Sequence, residues 1–350
     1  MEDRRNDGQR PPATLASIAA RVGVSANTVS RALRAPDTVR PELRRKIATA
    51  MEDLNYVPNR LAGGLAGTRS DLVGVVVTSL YYSEFATIVD RLQSTLLASN
   101  LHVMLANTRY DADEELKLVR SMLSWRPAAI AIIGVDHHPK VNDLLRHSGV
   151  PIVEMWDLDG DVIDSAAGLD HGEIGAAQAR HLIERGYRNL AFLGSMREID
   201  ARAAKRAAGM RRLAERQGLP PVVMKTRAEP GHPDLGEALC LELLADNPAI
   251  DGIVCNSDTV AYGVLRGLRK LAKNVPEDVG VIGFGDAEAS ACLTPTLSSV
   301  RPDRDNIGRL SAEIILERLR DKPSRIAPID WDIVARDSSR RGMPTIGNDM

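Results

Sequence analysis

Thr14–Leu33 reads TLASIAARVGVSANTVSRAL. Leu15, Ile18 and Ala19 recur at helical spacing until Gly23, a residue that permits a sharp reversal. Ser25 then offers a side-chain oxygen to the first free amides of a second helix, which buries Val29 and Leu33. Two short helices about a glycine turn predict a helix-turn-helix. Ala26, Asn27, Thr28, Ser30 and Arg31 are left on the outer face of the second helix. Short polar side chains and a single cation suit a helix that enters a major groove.

A third helix is expected from about Pro41 to Leu54. Pro41 fits its first turn, and Leu43, Ile47, Ala50, Met51 and Leu54 form an apolar stripe. Asn55-Tyr56-Val57-Pro58-Asn59 breaks it, and Arg60–Gly67 follows as a helix-capable segment weakened by Gly63 and Gly64. Residues 1–12 are polar and charged and read as a disordered tail. The resulting division is 1–12 tail, 13–58 DNA-binding head, 59–70 hinge and linker, 71–340 core and 341–350 tail. Charge follows the same boundary. The chain carries a net −2, but residues 1–70 hold twelve Lys/Arg against seven Asp/Glu, leaving 33 against 40 in the remainder. A basic head on an acidic body implies that only the head meets a polyanion.

From Leu72 the pattern becomes strands alternating with amphipathic helices. Strands are expected at Leu72–Thr78, His102–Ala106, Ala129–Val135, Ile152–Met155, Leu190–Gly194, Val222–Lys225, Gly252–Cys255 and Val279–Phe284. Helices are expected at Phe85–Ala98, Glu114–Ser124, Gly175–Arg185, Arg202–Arg216, Pro233–Leu244 and Thr259–Leu271. Val/Ile/Leu runs separated by helices predict an α/β fold of buried parallel sheets. About eight such units exceed one compact sheet, so two lobes flanking a cleft are expected. Lobe 1 takes about 71–168 and 301–325, and lobe 2 about 169–300 and 326–340.

Other chemistries find little support. Cys240, Cys255 and Cys292 fit neither a disulfide framework nor a zinc spacing and read as small core residues. HExxH, Walker-A and Gly-x-Ser-x-Gly motifs are absent, and GFGDAEAS lacks the second half of a dinucleotide fingerprint. His137-His138 beside Asp136 reads as surface loop rather than metal site. No metal or other cofactor is expected, and no catalytic residue is assigned. A polar N-terminus and the lack of a ~20-residue apolar run predict a cytoplasmic protein without membrane contact.

TLASIAARVGVSANTVSRAL, MEDLNYVPNRLAGGLAG, VGVVV, LIERGYRNLAFLG, SDTVAYGVLR and VGVIGFGD together resemble the lactose-repressor (LacI) family of bacterial transcription factors, from Ala13 to Arg336. YDADEELKLVRSMLSWRPAAI and GVPIVEMWD are similar to its gluconate-repressor branch. The resemblance implies a periplasmic-binding-protein-like two-lobed core and a homodimer on pseudo-palindromic double-stranded operator DNA. It implies base contacts from Ala26, Asn27 and Arg31, with Thr14, Ser25, Thr28, Ser30 and Asn59 on or near phosphates. Leu65 and Ala66 match the hinge helix that wedges into the minor groove.

By the same mapping, a small-molecule effector would meet Tyr82, Phe85, Asp157, Asp170, Arg202, Arg206, Ser257, Asp258, Phe284 and Asp286. Arg202 and Arg206 suit a carboxylate or phosphate, the acids suit sugar hydroxyls, and Tyr82 or Phe85 suits a carbon face. Gly285 replaces the first of two acids common in the family, and Ser257 stands where Asn is frequent. A gluconate-like sugar acid is the leading ligand class. A neutral sugar, a sugar phosphate and a protein corepressor remain as alternatives, with a sugar-modifying enzyme more remote. Dimer-interface candidates are Phe85–Ala98, Glu114–Ser124 and Asp303–Arg318.

Overall fold

The computed structural model describes residues 13–57, 70–197 and 200–341. The N-terminal tail, residues 342–350 and the expected hinge with Asn59, Leu65 and Ala66 therefore lie outside the described residues. The chain divides into two compact units, Met1–Ser70 and Asp71–Met350.

In the first unit, α1 (Leu15–Val22) begins with a reciprocal capping box. Thr14 Oγ1 accepts from the Ser17 amide, and Ser17 Oγ accepts from the Thr14 amide at 2.7 Å. It ends at Gly23, whose φ of 76° is the left-handed geometry that lets the chain reverse within one residue. Ser25 caps α2 (Ala26–Arg34) by accepting from the Thr28 amide, and α3 (Pro41–Asp53) opens on its proline. Ile18, Ala19, Val29, Ala32, Ile47 and Ala50 form the shared core. Leu33, expected inside, is 37% exposed, and Ala32 takes the buried position, because the three helices close over the side of α2 one residue earlier.

The second unit contains two six-stranded sheets. The first is built on β1 (Leu72–Val77), β2 (His102–Asn107), β3 (Ala129–Ile133), β4 (Ile152–Asp157) and β5 (Ser165–Leu169). The second is built on β6 (Leu190–Ser195), β7 (Val223–Arg227), β8 (Gly252–Cys255), β9 (Gly280–Phe284) and β10 (Ser298–Pro302). These pairings are parallel, as the uninterrupted apolar runs required. The short strand Ile326–Pro328 pairs with β5 in the first sheet, whereas Trp331–Val334 runs antiparallel to β10 in the second. Residues 326–328 thus belong to lobe 1, correcting a boundary drawn at 326.

Helices α4 (Ser83–Leu97), α5 (Ala112–Ser124) and α6 (Pro139–His147) cover the first sheet. Helices α7 (His171–Glu184), α8 (Ala201–Arg216), α9 (Pro233–Asp246) and α10 (Asp258–Lys270) cover the second. The last helix, α11 (Arg304–Arg318), returns to lobe 1 and packs on α4, with Gly308 lying close to the Ile88 carbonyl. Strands β5 and β10, the two short strands Ile326–Pro328 and Trp331–Val334, and helix α6 escaped the sequence reading. Ser165–Leu169 is short and rich in small residues, and Pro139–His147 has a charged, short apolar face. Cys240 and Cys255 are core residues, but Cys292 is exposed beside a 3-10 turn, contrary to expectation.

Candidate functional site

The candidate side chains gather on two surfaces, one in each unit. On the head, Ala26, Asn27 and Arg31 are exposed on one side of α2, while Thr28 and Ser30 are half-buried. Arg31 makes no ion pair among the described residues, whereas Arg21 and Arg44 lie against Asp53 and Asp37. Thr14 and Ser25 hold the two helix N-termini, and the Ser25 and Thr28 hydroxyls lie 2.9 Å apart. These caps aim free amides and hydroxyls outward, the equipment for holding a phosphate.

In the second unit, a cavity of about 70 Å³ lies between the lobes. Tyr82, Phe85, Arg202, Arg206, Ser257 and Phe284 are brought together in its wall, as the sequence implied. Glu84, Tyr110, Trp156, Ser195, Arg197, Asp200, Ala203 and Asn256 also line it and were not anticipated. Trp156 sits at the hub, edge-on to Phe85 at 5.5 Å and to Phe284 at 5.9 Å between ring centroids. Arg206 lies over the Phe284 ring at 4.1 Å, and Arg202 approaches Phe85 at 5.8 Å. The aromatic faces are thus already engaged by cations and by each other.

The cations of α8 differ in their commitments. Arg202 is paired with Asp200 at the start of its own helix. Burial opposes charge on both, yet each holds the other ionised, raising Arg202 and lowering Asp200. Lys205 reaches across to lobe 1, where its ammonium lies 2.7 Å from Asp136 and 2.8 Å from Asp157. Asp157 is fully buried, and desolvation raises its carboxyl although Lys205 pulls it back. Asp157 therefore closes the lobes through Lys205 and lines a neighbouring chamber of about 280 Å³.

Arg206 is the exception. It donates to His171 Nδ1 at 2.8 Å and to the Asn256 carbonyl at 3.0 Å, both neutral acceptors. His171 is fully buried and held well below its usual range by burial and then by Arg206, so its Nδ1 lone pair is available. Its Nε2 then donates to the Trp156 carbonyl at 3.2 Å. Arg206 is only 5% exposed, has no carboxylate within ion-pair distance among the described residues, and burial lowers it to about 10. Its Nε and the Nη1 of Arg202 are buried without a hydrogen-bond partner among the described residues.

All four anticipated acids lie outside the cavity wall, Asp157 in the neighbouring chamber and the other three committed elsewhere. Asp170 caps α7 by accepting from the Glu173 amide. Asp258 is buried and accepts from Ala287, Ser290 and Ser299, while Ser257 caps α10. Asp286 is paired with Arg301 and Arg336. His137 lies in a loop as expected but not at the surface, because its side chain is 1% exposed between Glu115 at 2.6 Å and Glu154 at 3.4 Å. Burial opposes its charge, but the two carboxylates raise it to about 9. The signal was a remote one, since Glu115 and Glu154 sit on separate elements.

Comparison with known proteins follows the same division. Residues 14–59 match the family model "Bacterial regulatory proteins, lacI family", and residues 179–339 match "Periplasmic binding protein-like domain". The HTH-type transcriptional regulator GntR of Pseudomonas aeruginosa is 35% identical, over 93% of this chain and 95% of the relative. The HTH-type transcriptional regulator IdnR of Escherichia coli is 31% identical, over 91% and 95% respectively. The crystal structure of a LacI-family transcriptional regulator from Silicibacter pomeroyi superposes with a TM-score of 0.88 at 31% identity, covering 94% of this chain and all of that one.

Proposed function

The chain belongs to the LacI family and is a DNA-binding transcriptional regulator, and from that premise we propose that a sugar acid bound between its lobes controls its hold on operator DNA. It is a regulator rather than an enzyme, and in this reading it acts as a homodimer on operator DNA. Cytoplasmic placement belongs to this reading, and among the described residues no helix is long and apolar enough to cross a membrane.

The observation that carries the ligand class is Arg206. A buried guanidinium bonded to an imidazole and a peptide carbonyl has no carboxylate at ion-pair distance among the described residues, and Asp200 and Asp157 offset its charge only from farther away. A carboxylate supplies the missing charge and takes fork-like hydrogen bonds. A neutral sugar leaves that charge unmet, which favours the acid over it. Tyr82, Phe85, Ser257 and Phe284 shape the remaining wall. On the head, Ala26, Asn27 and Arg31 read base edges, while Thr14, Ser25, Thr28 and Ser30 set the helices on phosphates.

An effector changes operator affinity only through a difference in its affinity for two lobe arrangements, and operator then changes effector affinity by the same factor. The test is fluorescence anisotropy of full-length protein on an operator duplex selected from a random pool, titrated with gluconate, glucose and 6-phosphogluconate. A shift of tenfold or more with gluconate, in either direction, and none with glucose is the expected result. A response to glucose alone overturns the acid reading.

A further inference from the structure

Arg206 supplies a cation without a carboxylate, and the opposite wall supplies a carboxylate without a cation. Glu84 lies in the first turn of α4 on lobe 1, is 9% exposed and lines the cavity. It makes no ion pair and no hydrogen bond to another side chain among the described residues, its carboxyl being met by its own backbone amide, whereas Asp200, the other acid in the wall, is held by Arg202. Its carboxyl extends to lobe 2 and occupies the space beside Gly285. A Cβ placed on Gly285 would lie 2.2 Å from Glu84 Oε1. Gly285 has a φ of 122°, a backbone geometry that L side chains rarely adopt, so the opening is built into the turn after β9.

We propose that Glu84 is a specificity-determining residue of the effector site, hydrogen-bonding a ligand hydroxyl from the place that Gly285 leaves open. The inference rests on the sugar-acid reading of the cavity. A buried carboxyl without an ion pair, opposed to a guanidinium without one, matches a hydroxy acid end for end. The acid group lies on Arg206, and a hydroxyl donates to Glu84. Burial raises the Glu84 carboxyl, and Asp258 adds to the rise. Because it bridges the lobes at Gly285, Glu84 also ties recognition of that hydroxyl to the closed arrangement.

Calorimetry on full-length protein tests this with gluconate, 2-deoxygluconate, 3-deoxygluconate and glucose as probes. Glu84→Gln keeps the side-chain volume and is expected to weaken gluconate tenfold or more. One deoxy acid should bind wild type and variant equally, which identifies the hydroxyl. Gly285→Ala, which displaces the Glu84 carboxyl, should reproduce the gluconate loss. Equal gluconate affinity in wild type and Glu84→Gln, or the same loss for every probe, overturns the assignment. Glucose binding without any acid, still weakened by Glu84→Gln, overturns the sugar-acid reading and keeps Glu84. Absence of binding by every probe overturns both.

Discussion

Replacing Arg206 with Met separates its structural and ligand-binding contributions. Burial lowers the guanidinium to about 10 from its ordinary 12.5, which disfavours the charged form in the fold by roughly 3 kcal/mol. A base with a depressed folded pKa is penalised while charged, so the penalty is present at neutral pH and fades only as pH rises past about 10. Met removes that penalty. It also removes bonds to His171 Nδ1 and the Asn256 carbonyl and the contact over Phe284, worth about 1 kcal/mol each. The opposing effects nearly cancel, and the unliganded variant is expected within about 1 kcal/mol of wild type, against the 3–5 kcal/mol common for breaking a buried ion pair. Ligand response should behave differently. At about 100 Kd an effector adds roughly 2.7 kcal/mol to wild type and nothing to a variant that cannot bind it. Thermal unfolding of full-length protein with and without gluconate reads both quantities. An unliganded Arg206→Met destabilised by more than about 3 kcal/mol would show that the cation is already compensated by the protein. Undiminished stabilisation by gluconate would place the carboxylate elsewhere.

Arg31→Ala should weaken operator binding by about 1–3 kcal/mol and relax preference at one base position, read by anisotropy on single-base operator variants. Lys205→Met leaves the fully buried Asp157 without its cation and should destabilise the core by about 3–5 kcal/mol, with Asp157→Asn in the same chain recovering most of the loss in denaturant titration. His137, raised to about 9, contributes stability that is complete below about 6.5 and lost as pH rises through 9. Core stability should therefore fall by up to about 3 kcal/mol across that window, and His137→Gln should flatten the profile. A slope unchanged in the variant would assign the titration to another group.

The sequence disclosed what depends on local periodicity and local caps. Ser25 and Gly23 set α2 because a cap and a left-handed turn act within three residues, and the parallel sheets followed from apolar runs that need both faces covered. Partner choice over long separations stayed hidden. His137 reads as an exposed histidine until Glu115 and Glu154, on a helix and a neighbouring strand, are brought against it. Asp170, Asp258 and Asp286 look available by type, but a helix amide, two serines and two arginines have already claimed them. Trp156 lay in a run of strand residues, and only its positive φ of 79° turns it toward the cavity's aromatic cluster.

Helix α8 shows why commitment, rather than charge, defines the effector site. Lys205 and Arg206 follow Arg202 by three and four residues and so lie on its side of the helix, where sequence presents three similar cations. The fold makes them unequal. Arg202 is neutralised within its own lobe by Asp200, and Lys205 is neutralised across the cleft by Asp136 and Asp157. Arg206 has only neutral hydrogen-bond partners among the described residues, because His171 is held neutral and would add positive charge, not cancel it, if protonated. The cross-lobe pair and the free guanidinium thus do complementary work. Lys205 joins the lobes in the arrangement seen, and on the sugar-acid reading an anion would complete the charge balance at Arg206. A ligand that touched both lobes would then have a differential affinity for this arrangement, the condition under which occupancy of the cleft can bias another equilibrium of the same chain.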